Sequence, residues 1–147
     1  MGRRKSRESA LQVLYQLNIT KQDVTTALAR FQEHFLANEE ADDFLKQLVL
    51  GVLENLPQLD RLIEQYSENW RLDRINTIDR NILRMALFEL LYCKEIPPKV
   101  TINEAIDLGK RFGSEDSGSF INGILDRIQN EAVRKPIERK PSGASGG

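Results

Sequence analysis

Four of the first seven residues, Arg3, Arg4, Lys5 and Arg7, are basic, and none is acidic. Cations at that density neutralise phosphates, and arginine adds bidentate hydrogen bonds and stacking on bases. The chemistry they suggest is polyanion binding. A second basic run, Arg134, Lys135, Arg139 and Lys140 against Glu138, lies near the other end. The chain of 147 residues has a net charge of -1 and its two ends carry +4 and +3, so the body between them carries -8. A pI of 5.9 averages such an arm away. A mildly acidic body with a basic arm can still bind a polyanion locally, although a basic terminus taken alone is as readily a solvated tail.

The residue types that carry catalysis do not assemble into a recognisable pattern. There is no phosphate-binding glycine loop with its lysine, and no dinucleotide fingerprint. Residues 113–118 (GSEDSG) are rich in glycine and serine, but they lack the nucleophile-elbow pattern and no strand leads into them. The one histidine, His34, lies beside a helical apolar stripe with no Cys or Ser partner and reads as structural or surface. The one cysteine, Cys93, ends the most apolar helix and reads as a small core residue. Acidic pairs such as Glu39–Glu40 and Asp42–Asp43 read as solvated charge. One cysteine excludes an internal disulfide and a Cys/His zinc site, and it points to a reducing compartment, the cytoplasm. No enzyme activity, metal or cofactor is expected. No apolar run approaches the roughly 18 residues of a membrane span, and the basic start is not followed by the apolar stretch of a secretory signal.

The elements that must position these residues all read as helices. Apolar residues recur at three- and four-residue steps from Arg7 to Leu17, through Val24, Ala27, Leu28, Phe31 and Phe35, and through Phe44, Leu45, Leu48, Val49, Val52 and Leu53. Thr20 to Asp23 offers a start signal for the second stripe. A fourth helix can begin at Pro57, because proline is tolerated in a first turn, and carries Leu59, Leu62, Ile63, Tyr66 and Trp70. From Ile78 to Tyr92 the apolar residues cover most of the circumference, as in a central helix surrounded by others. Pro97 and Pro98 predict an extended link. Thr101 and Glu104 have the spacing of a capping box for a helix ending at Gly113, where a left-handed residue would stop it. A last helix runs from about Ser117 to Ile128, and Asp116 before it could cap it. Lys99 to Ile102 is the nearest approach to a strand. The expectation is an all-helical domain of about seven helices over residues 1–133, then a basic and Gly/Ser-rich tail over residues 134–147, read as disordered.

Two stretches are more specific than their composition: residues 3–16 (RRKSRESALQVLYQ) and residues 102–126 (INEAIDLGKRFGSEDSGSFINGILD). With residues 79–90 (DRNILRMALFEL) and the link at residues 96–100 (IPPKV), they resemble the NusB family of bacterial transcription antitermination factors over roughly residues 3–131. The resemblance implies two packed three-helix subdomains led by the basic arm. It implies pairing with NusE, a small-subunit ribosomal protein. It also implies binding of boxA-type single-stranded RNA and delivery to elongating RNA polymerase with other Nus factors, notably in ribosomal RNA operons. In longer enzymes a related domain precedes a ribosomal RNA methyltransferase, an activity not expected here.

On that reading the RNA-binding residues are Arg3, Arg4, Lys5, Arg7, Tyr15, Asp116 and Phe120. Specific readers of RNA splay bases against aromatic faces, a role for Phe120 and, less directly, for Tyr15 and Phe112, all of which also fall on core stripes. Asp116 would accept from a base edge. Ser119 stands where relatives often carry a basic residue. Asp79 and Arg80 would meet NusE, on a segment away from the arm and from residues 116–120, so that the two surfaces would be separable. Asn122 and Gly123 are expected to let the last helix approach a neighbour. The alternative to an RNA-binding adaptor is a purely protein-binding helical scaffold whose arm meets an acidic partner.

Overall fold

The computed structural model describes residues 2–20, 23–31, 33, 43–68 and 71–134. His34, Phe35, Trp70, the acidic residues at 39, 40 and 42, and the tail from residue 135 lie outside the described residues. Among the described residues seven α-helices follow one another: α1 (Arg3–Thr20), α2 (Val24–Phe31), α3 (Asp43–Glu54), α4 (Leu56–Tyr66), α5 (Thr77–Tyr92), α6 (Pro98–Phe112) and α7 (Ser117–Ile128). A 3-10 turn (Leu72–Arg74) precedes α5, and a π-helical turn (Gln129–Arg134) continues α7. Among the described residues there is no strand.

Local chemistry sets three of the starts. Asp23 accepts from the Thr26 N–H at 2.8 Å, a side-chain cap of α2 that also holds the Asp23 carboxyl below its ordinary pKa. Asn76 accepts from the Asp79 N–H at 2.8 Å and caps α5. Pro57 sits in the first turn of α4, where its missing N–H costs nothing.

Four local expectations need correction. Helix α1 begins at Arg3 rather than Arg7, because the Ser6 N–H already donates to the Gly2 carbonyl at 3.0 Å. Helix α6 begins one turn before the expected capping box, with extended Pro97 as its cap and Pro98 inside the first turn. Residues 99–102 are therefore helix, and Thr101 is free to turn its hydroxyl inward. Gly113 is not left-handed, with φ -96°. A Cβ there would collide with the Ser117 hydroxyl and the Gly109 carbonyl, so close approach is what glycine permits. Gly123, by contrast, has open space around it, and Asn122 beside it is exposed.

Helix α5 is the centre. It packs against α1, α3, α4, α6 and α7, while α2 lies on α3. The two three-helix groups, α1–α3 and α4 with α6 and α7, thus share α5 as a common core element. Leu83 and Leu87 are fully buried within it; truncating either to Ala costs about 2–5 kcal/mol.

Three polar links fix the helix directions. Arg7 meets Glu89 and Asn18 meets Asn81, so α1 runs antiparallel to α5. Thr101 meets Glu89, so α5 and α6 form an antiparallel hairpin. The end of α1, the start of α5 and the α6–α7 connection therefore share one end of the molecule.

Candidate nucleic-acid interface

The basic cluster is the first helical turn of α1, not a free arm. Arg3, Arg4 and Lys5 are exposed. The Arg3 guanidinium lies 4.7 Å from the centre of the Phe44 ring, within cation–π range. Arg4 donates to both carboxylate oxygens of Glu104, at 3.2 and 2.8 Å. Lys5 lies 3.8 Å from Glu8. Each of the three faces water and can exchange its present contact for a phosphate.

Arg7 departs from its expected role. It is only 4% exposed and donates from Nε and Nη2 to the two oxygens of Glu89, both at 2.8 Å. Thr101 donates its hydroxyl to the same carboxylate at 2.8 Å. Burial opposes the Arg7 charge, and the hydrogen bonds and charge of Glu89 outweigh it, raising its pKa. Position along the helix explains the difference: Arg3 and Arg4 lie three to four residues before Arg7, on the same side of α1, and Arg7, one turn further in, is the one that comes level with Glu89 near the end of α5. It is a structural cation, unavailable to phosphate.

At the shared end lies an open groove of about 210 Å³, lined by Arg74, Ile75, Asn76, Asp79, Ser114, Asp116 and Phe120. Asp79 was expected on a surface away from Asp116 and Phe120; instead the antiparallel α5–α6 hairpin and the tight α6–α7 connection bring all three to one groove. Asp79 is 4% exposed. Its Oδ2 accepts from the Asn76 amide at 3.1 Å, whereas its Oδ1 is buried with no hydrogen-bond partner among the described residues. Asp116 makes no side-chain capping bond, and its backbone is already helical, φ -93° and ψ -2°. The Ser114 N–H donates to the Ser117 hydroxyl at 2.8 Å, and the exposed Asp116 carboxylate stands at the groove's rim. Phe120 is half-buried and packs on the core, so it supplies a ring face to the groove while anchored from behind.

Arg80 presents no free charge there. It donates from Nη1 to the Leu72 carbonyl at 3.1 Å and from Nη2 to the Thr77 hydroxyl at 3.3 Å. Desolvation, with Arg84 nearby, lowers its pKa. It holds the 3-10 turn that forms the groove's edge. Tyr15, expected on a core stripe, is 38% exposed; it lies two helical turns beyond Glu8 on the same face of α1. Phe112 is also exposed, with the Arg111 guanidinium 4.9 Å above its ring. Tyr66 is core.

Sequence reasoning passed over Lys110 and Arg111, whose signal was two adjacent cations in the last turn of α6. Among the described residues no group of three or more His, Cys, Asp or Glu side chains could hold a metal ion, and no helix is long and apolar enough to cross a membrane.

The NusB family model matches residues 4–130. The chain is 47% identical over 138 residues to the transcription antitermination protein NusB of Syntrophus aciditrophicus, covering 94% of this chain and 86% of that protein. Its fold superposes on NusB of T. maritima with a TM-score of 0.78 at 40% identity, covering 92% of this chain and 96% of the other. It also superposes on a crystal structure of the antitermination factors NusB and NusE in complex with dsRNA, with a TM-score of 0.71 at 27% identity, covering 87% and 96%. A family match over residues 4–130, with a solved member that shares the fold over 92% of the chain, means that the chain belongs to the NusB family.

Proposed function

We propose that this protein acts in transcription antitermination as an RNA-binding adaptor that works with NusE. As a member of its family it is an antitermination factor and not an enzyme. The heterodimer would bind boxA-type single-stranded RNA and act on elongating RNA polymerase with other Nus factors, notably in ribosomal RNA operons, in the cytoplasm. The observation that carries the reading is the pairing of two features on a chain of this family. One is a helical turn whose three exposed cations suit phosphates. The other is a groove in which a ring face (Phe120) stands beside two carboxylates (Asp79 and Asp116) that can accept from donors. Phosphate contacts position RNA, while stacking and hydrogen bonds to unstacked base edges specify it. A fold neighbour that is itself a complex with NusE and dsRNA adds support.

The test is a titration of a short boxA-type RNA and a scrambled one, single- and double-stranded, with and without NusE, at several salt concentrations. Binding that prefers the single-stranded boxA sequence, tightens with NusE and weakens with salt is expected. NusE binding with no RNA binding would replace this reading with the protein-binding scaffold. Equal affinity for both sequences would remove the claim of specific recognition.

A further inference from the structure

The helix pairings set a register between α1 and α6. Arg4 meets Glu104, and Glu8 meets Arg111, so the two helices run in the same sense, side by side on the surface. Arg111 is the link at the far end of this register. It donates from Nη2 to Glu8 at 2.6 Å and from Nη1 to Asp107 at 3.2 Å, and it lies over the exposed Phe112 ring. With both carboxylates in place its side chain is still 40% exposed. Lys110, its neighbour, is laid across the first turn of α7: a Cβ added at Gly118 would be 3.1 Å from the Lys110 Cγ and 3.3 Å from its Cε. Glycine at 118 therefore provides the bed for this lysine, two residues along the chain from both Asp116 and Phe120. Exposed cations thus stand at the start of α1 (Arg3, Arg4 and Lys5) and at the end of α6 (Lys110 and Arg111), and α7, which begins after Asp116, packs against α6.

We infer that Arg111, with Lys110 beyond it, is a phosphate-binding residue that carries an RNA backbone from the first turn of α1 to the groove at Asp116 and Phe120. The inference rests on the RNA-binding reading above. Glu8 and Asp107 then act as placeholders: they hold the guanidinium extended over Phe112, and an incoming phosphate displaces them. Exchange of a solvent-facing carboxylate for a phosphate keeps the guanidinium satisfied throughout, whereas the same exchange at buried Arg7 would strand Glu89.

A structural tie and a phosphate contact predict opposite behaviour for Glu8. If Arg111 only ties α6 to α1, Glu8→Gln and Arg111→Gln remove the same interaction and weaken RNA binding alike. If Arg111 takes a phosphate, Arg111→Gln weakens binding while Glu8→Gln releases the guanidinium and leaves affinity equal or tighter. The experiment titrates a short single-stranded boxA-type RNA with NusE present, using both variants and the unaltered protein across a salt series. Loss of one phosphate contact should make the log–log salt slope shallower by about 0.7 and weaken binding roughly fivefold at about 0.1 M salt. Unchanged affinity and slope in Arg111→Gln, or equal losses in the two variants, would overturn the assignment while the unaltered protein still bound RNA. An unaltered protein that binds no RNA would overturn the functional reading and this assignment together.

Discussion

Arg7 and Glu89 form a bidentate ion pair buried between α1 and α5, with both hydrogen bonds at 2.8 Å and Thr101 of α6 donating to the same carboxylate. One carboxylate thus joins three helices. Such a pair adds little to stability relative to an apolar contact of the same shape, but removing one partner leaves an uncompensated buried charge.

Arg7→Ala should therefore destabilise the fold by about 3–5 kcal/mol, read as a lower midpoint in urea denaturation with little change in slope. Its RNA affinity, measured where it remains folded, should match the unaltered protein. A folded Arg7→Ala protein of normal stability with weakened RNA binding would restore Arg7 to the interface.

Changing Arg3, Arg4 and Lys5 together to Gln should leave the fold intact, since all three are exposed, and should weaken RNA binding. Three phosphates of a single strand contribute about -2 to the log–log salt slope, so that contribution should vanish in the triple variant. An unchanged slope would make the first turn of α1 a solvated helix end.

Asp79 cannot report on NusE alone. It shares a groove with Asp116 and Phe120 and is buried, so Asp79→Lys would bury a cation beside Arg74 and lose much of the fold. Asp79→Asn keeps the shape and lowers only the charge near a helix N-terminus, worth about 0.3–1 kcal/mol. It should weaken NusE association and, through the shared groove, alter RNA binding by the heterodimer; calorimetry with NusE and a thermal melt together measure both. Tight NusE binding by folded Asp79→Asn would exclude the carboxylate from the partner contact.

Phe120→Leu keeps an apolar plug but removes the ring. Stacking of a base on an aromatic side chain is worth about 1–3 kcal/mol, so RNA affinity should fall roughly tenfold or more while NusE binding persists. Equal RNA affinity in a folded variant would make Phe120 a core residue only.

Burial, with Glu89 and Glu95 nearby, pushes the Cys93 thiol up to about 11. The unfolded thiol ionises near about 8.5. Because the folded pKa is the higher one, the stabilisation is complete below the unfolded value and is lost as pH rises through 11. At about pH 9.5 iodoacetamide should label Cys93 far more slowly in native protein than in urea. Equal rates would mean that the thiol is accessible and unshifted.

The helical character of the chain and its family were legible in the residues alone. Apolar residues at three- and four-residue steps need no distant partner to be read, and Pro57 and Asp23 act within one turn of themselves. The all-round apolar character of residues 78–92 foretold the central place of α5. What sequence could not decide was which side of each helix meets which neighbour. Arg7 differs from Arg4 only by one helical turn, and the residue that buries it, Glu89, lies 82 positions away. Thr101 has the spacing of a cap, yet Pro98 starts the helix earlier and Thr101 bonds to Glu89 instead. The groove was equally hidden, because Asp79 and Phe120 become neighbours only when α5, α6 and α7 pack as successive antiparallel hairpins. Periodicity is a property of one helix; burial and the meeting of two helix ends belong to the packing of several.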